Sequence, residues 1–171
     1  MKKLLLPVAA LLIFAEACKK DKKTTTPTTP GTVDTPYSKY TALTTDKWQV
    51  TAIYMTATTG DTSLDYYSTL ETCATNNYYI FNTDQSITLD EGATKCDDTV
   101  AQRTTDGNWT LSSDTTKFTL KDSKILPFSG AVTFNVGSLT KTTLQLTKDT
   151  SLNYSGITIT GTVHTHFKKV N

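Results

Sequence analysis

The chain has 171 residues, with 17 Lys and Arg against 16 Asp and Glu and a net charge of +1. Six lysines precede residue 24, so residues 37–171 carry 11 basic against 13 acidic side chains, with no basic patch of the kind nucleic acid requires. Threonine fills 38 positions, and with the valines, isoleucines and aromatics it biases the chain toward strands, an all-β composition.

In chain order the first element is Met1-Lys2-Lys3 followed by the apolar run Leu4 to Phe14, eleven residues. That is too short to cross a bilayer core of roughly 30 Å as a helix and reads as a signal peptide. Ala15 and Ala17 precede Cys18, and the whole resembles a bacterial lipoprotein signal spanning residues 1–17. The resemblance implies cleavage before Cys18, a diacylglyceryl thioether on its sulfur and a further acyl chain on its amino group. At about 0.8 kcal/mol per buried methylene, one chain holds a protein at a membrane marginally and two or more hold it stably. The expected location is the bacterial cell envelope, at the outer membrane; an ordinary secretory signal is the alternative. Residues 18–36, Cys18 with a lysine cluster and a Thr/Pro-rich run, have one hydrophobic residue besides the cysteine, Val33, and read as an extended tether.

Residues 37–171 have the length of one domain. Trp48, Val50, Ala52 and Tyr54 alternate with polar residues. So do Phe118 with Leu120, Val132 with Phe134 and Val136, and Leu144 with Leu146. In the last and longest run Ile157, Ile159, Val163 and Phe167 take one face, and His164 and His166 the polar other. Leu64 to Glu71 is the one predicted helix. Asp106-Gly107, Ser129-Gly130 and Lys148-Asp149 are predicted turns, giving about eight antiparallel strands in sequence order. Such a set closes into an up-and-down barrel or splits into a two-sheet sandwich.

Cys73 and Cys96 bracket the strand-like runs "NYYIFN" and "SITLD". A hairpin turning at Asp84-Gln85 places the two cysteines opposite each other, and Ile80, Ile87 and Leu89 on one face. Opposed residues lie about 4.5–5.5 Å apart, within disulfide range, and an exported compartment would oxidise the pair. The competing metal site lacks a close histidine or third thiol.

Two tryptophans, in "TDKWQV" and "DGNWTL", each mark the entry to a predicted strand. Together with Cys18, the tether, the cysteines around "YYIF" and the long last strand, they resemble the lipocalin-like lipoprotein domains of bacterial envelopes over about residues 40–170. The resemblance implies a calycin-type eight-stranded barrel rather than a lipocalin in the strict sense: in lipocalins an arginine near the last strand covers the first-strand tryptophan, whereas the nearest cations to Trp48 here are Lys168 and Lys169.

For catalysis there are only two histidines, no Gly-x-Ser-x-Gly and no glycine-rich phosphate loop. The acidic pairs Asp90-Glu91 and Asp97-Asp98 read as solvated turns, and His164 with His166 as an exposed pair. No catalytic residue, metal or cofactor is therefore expected. The leading reading is a monomeric, non-enzymatic, membrane-anchored module holding a small apolar or amphipathic ligand, with Trp48, Tyr54, Phe81, Trp109 and Phe134 as candidate lining. The alternative is a solid barrel that binds protein or glycan through its loops. A cavity of a few hundred Å3 separates the two.

Overall fold

The chain divides into two units, Met1–Thr35 and Pro36–Asn171. The computed structural model describes residues 38–59, 63–126, 128–154 and 157–171, with Leu152, Tyr154 and Ile157 described by backbone alone. The expected signal peptide, Cys18, the expected tether to residue 36 and Tyr37 lie outside the described residues.

Strand formation follows the alternation. The strands are β1 (Lys47–Ala57), β2 (Ser63–Asp65), β3 (Tyr78–Phe81), β4 (Ser86–Asp90), β5 (Arg103–Leu111), β6 (Lys117–Lys121), β7 (Ala131–Leu139), β8 (Thr143–Tyr154) and β9 (Ile157–Val170). They form one antiparallel sheet in which β3 to β9 pair consecutively and β9 returns to β1, from Lys47↔Val170 to Ala57↔Gly161. Eight strands thus close into a barrel and remove their exposed edges. The short β2 is added on β1 beyond β3, since β3 takes Trp48 and Gln49 while β2 takes Tyr54 to Thr56. Closure rules out the sandwich.

Several local expectations are corrected. The register of β1 against β9 slips between Val50 and Ala52, so Thr51 is a bulge. A one-residue slip reverses the faces. After Trp48 and Val50 the inward residues are therefore Ile53 and Met55, not Ala52 and Tyr54. The β3–β4 hairpin pairs Tyr79 with Leu89 and Phe81 with Ile87, one residue away from the expected register. Its loop is three residues, Thr83 to Gln85, closed by Asn82 and Ser86, with Gln85 left-handed at φ 70°. Ile80 consequently lies opposite Thr88, while Tyr79, Phe81 and Ile87 are buried.

Asp106-Gly107 is not a turn but a bulge within β5, where the β4 register shifts. Gly107 has φ 83°, and a Cβ there would stand 2.2 Å from the Lys121 carbonyl oxygen, so only glycine fits. Lys148-Asp149 lies inside β8, and Trp109 lies near the end of β5 rather than its entry. Leu64 to Glu71 is not a helix: Leu64 pairs with Met55 in β2, and a 3-10 helix follows at Tyr67–Thr69. Helix appears instead at α1 (Lys39–Thr44) and α2 (Thr72–Thr75). Ser38 caps α1 by accepting from the Thr41 N–H at 3.3 Å, and Ala42 and Leu43 bury its inner face.

Candidate functional site

The barrel interior has two unlike halves. At the α1 end it is filled by aromatic rings: Phe81 packs edge-on against Trp109 at 5.6 Å, Phe118 at 5.4 Å and Phe167 at 6.4 Å, and Trp109 stacks on Phe118 at 5.8 Å. Such pairs contribute about 0.5–1.5 kcal/mol each beyond area burial. Both indole N–H groups are satisfied. Trp48 donates to the Leu43 carbonyl at 2.9 Å, tying α1 across this end, and Trp109 donates to the Asn82 carbonyl at 3.1 Å. Lys169 stands in register with Trp48 and forms an ion pair with Asp46 at 2.5 Å.

The other half opens into a cavity of about 430 Å3. Its apolar walls are Ile53, Met55, Leu64, Phe128, Ile159 and Val163, and Asp65, Tyr66, Thr69 and Asn153 add polar positions. The bulge at Thr51 is what turns Ile53 and Met55 inward, and β2 brings Leu64 beside them. Phe128 comes from the β6–β7 loop. That loop is fastened by Asp106, whose carboxylate accepts from the Ser123 hydroxyl at 2.6 Å and the Lys124 N–H at 3.0 Å. Burial raises the Asp106 carboxyl above its ordinary value, although these hydrogen bonds and the Lys124 charge pull the other way. Burial, reinforced by the charge of Asp106, likewise holds the Tyr79 phenol well above its ordinary range.

Of the five candidate lining residues, Tyr54 alone borders this cavity. Trp48, Phe81, Trp109 and Phe134 are at most 1% exposed and belong to the packed core. Of the wall residues, Ile53 and Met55 escape the reading by alternation because the phase of β1 changes at a bulge, and Leu64 because its run reads as a helix, whereas Ile159 and Val163 lie on the expected apolar face of the last strand. Tyr54 points to the outer face, where its ring stacks on His164 at 4.7 Å and meets His166 edge-on at 5.6 Å. Both histidines are half-buried, and burial and the neighbouring His164 lower the His166 pKa.

Cys73 and Cys96 form the expected disulfide, with Cα atoms 5.1 Å apart. They do so from α2 and the loop after β4, outside the hairpin strands, so the one-residue register error leaves the bridge intact. Glu71 lies beside the two sulfurs, but both are consumed in the bond and neither can act as a thiolate ligand. Of the acidic pairs, Asp90 ends β4 and is buried. Burial would raise its pKa, yet hydrogen bonds from Gln102, the Gly92 N–H and Arg103 lower it overall, the Arg103 contact being an ion pair at 2.9 Å.

No protein-family model matches the chain, and no curated protein is similar to it. Among solved structures it is similar to a lipocalin-like protein from Bacteroides uniformis ATCC 8492, at 19% identity over 75% of this chain and 99% of that one, with a TM-score of 0.40.

Proposed function

We propose that this chain is a non-enzymatic carrier of one small apolar or amphipathic molecule, anchored in the bacterial envelope through lipid on Cys18. The observation that carries the reading is the cavity: about 430 Å3, walled mainly by aliphatic and aromatic side chains. That volume lies within the range of small-molecule sites. The membrane anchor rests on the signal-like run and Cys18, and the tether would give the barrel reach from the surface.

Both tryptophans sit in the filled half and neither lines the cavity, so intrinsic fluorescence is a poor reporter. Native mass spectrometry of the full chain carrying Cys18→Ala, incubated with a panel of fatty acids, isoprenoids and sterols, tests the reading directly. One ligand per chain is expected, and Ile159→Trp, which places an indole in the cavity, should abolish it. A panel that gives no one-to-one complex would refute ligand carriage and favour the solid-barrel reading. Anchoring is checked separately by labelled palmitate, which the wild type should incorporate and Cys18→Ala should not.

A further inference from the structure

Resting on that reading, we infer that the molecule in the cavity enters tail first and carries a cationic head, an ammonium received by Asp65 at the mouth. The walls are graded in exposure, and the grading sets the direction. Ile53, Met55 and Val163 are at most 5% exposed and form the floor. Leu64, Asp65, Tyr66 and Thr69, from β2 and the segment that follows it, are exposed and form one side of the mouth. A tail on the floor leaves water while a head at the mouth stays in it, and the reverse orientation would strip the head of water against aliphatic side chains.

The sign of the head follows from the lining. Among the described residues that line the cavity, Asp65 is the one that carries a charge. Its place is fixed by short-range bonds. One carboxylate oxygen accepts from the Ser68 N–H at 3.1 Å, the Ser68 hydroxyl donates to the Asp65 carbonyl at 3.2 Å, and the Tyr66 N–H donates to the Ile53 carbonyl at 2.9 Å, tying the mouth to β1. Among the described residues the ion pairs are Arg103 with Asp90 and Lys169 with Asp46, so no cation of the barrel neutralises Asp65. The carboxylate keeps acceptor capacity beyond the single bond from Ser68. An ammonium, with three donors and no acceptor, matches it, whereas a carboxylate head would meet like charge. Tyr66, 41% exposed in the same mouth, adds an aromatic ring, a second group that favours a cation.

The test compares decylammonium, decanol and decanoate, each below its micellar range, by calorimetry at neutral pH on the full chain carrying Cys18→Ala. Affinity should fall in that order, with decylammonium about fivefold above decanol, the scale of a solvent-exposed ion pair. The preference should shrink as salt rises toward about 1 M, where the screening length is about 3 Å. Asp65→Asn keeps an acceptor for the Ser68 N–H, so it should bring decylammonium down to decanol and leave decanol unchanged, and Asp65→Glu should keep the order. Asp114→Asn makes the same change in net charge in the β5–β6 turn, at the α1 end, where Lys39 donates to Thr115 at 3.1 Å, and should leave the preference intact. Equal affinity of the wild type for decylammonium and decanol, or a preference that survives Asp65→Asn or is lost equally in Asp114→Asn, overturns the inference and leaves the cavity reading standing. If Asp65→Asn loses decanol as well, the salt dependence of the wild type decides, and a preference that persists at high salt overturns the inference. If the wild type binds none of the three, the cavity reading fails and this inference falls with it.

Discussion

Replacing Cys73 and Cys96 together by alanine should destabilise the barrel by about 3 kcal/mol. The two cysteines are separated by 23 positions, and chain-entropy arithmetic for a loop of that length gives about 3.4 kcal/mol of stabilisation at 25 °C, through restriction of the unfolded chain. Other ties across the same ends persist in the variant. Asn76 donates to the Thr94 carbonyl at 3.1 Å and accepts from its N–H at 3.4 Å, and Arg103 still meets Asp90. Native geometry should therefore survive, and the loss should come from the denatured ensemble. For a domain of this size the change corresponds to roughly 10–15 °C in melting temperature. Urea titration of oxidised wild type and the double variant measures it, and the slope should steepen as the freed unfolded chain exposes more surface. A loss under about 1 kcal/mol with an unchanged slope would refute the argument.

Two further perturbations test the bulge and the loop latch. Gly107→Ala combines a left-handed backbone, about 1–2 kcal/mol, with overlap against the Lys121 carbonyl, about 1–3 kcal/mol, so a loss near 3 kcal/mol is expected by denaturant titration. Gly130→Ala shares the positive φ but meets nothing within 4 Å, and should cost only about 1 kcal/mol. Asp106→Asn tests pH dependence. Because the folded Asp106 pKa is raised, the wild type binds this proton more tightly when folded, and stability falls as pH climbs from the ordinary carboxylate value through the raised one. The asparagine variant should lose that component of the slope, and a wild-type slope retained in full by the variant would show that Asp106 is not its source.

Strand content and antiparallel order were legible in the sequence, because apolar and polar residues alternating at period two leave an all-β chain of this size few ways to bury one face; alternation left barrel and sandwich both open, and the pairing of β9 with β1 decided for the barrel. The disulfide was legible as well: its two residues flank one local hairpin, and a register error of one residue does not carry them out of reach. The cavity was not. Its walls depend on where Thr51 interrupts β1, which decides whether Tyr54 or Ile53 faces inward, and a bulge is settled by pairing with a distant strand, here β9. The large aromatics that looked like lining instead fill the α1 end, since the favourable use of Phe81, Trp109 and Phe118 is against one another. Only closure of β9 against β1 settles the phase of β1 beyond that bulge, because the side-chain face of a strand is fixed by its register with neighbours far away in the chain.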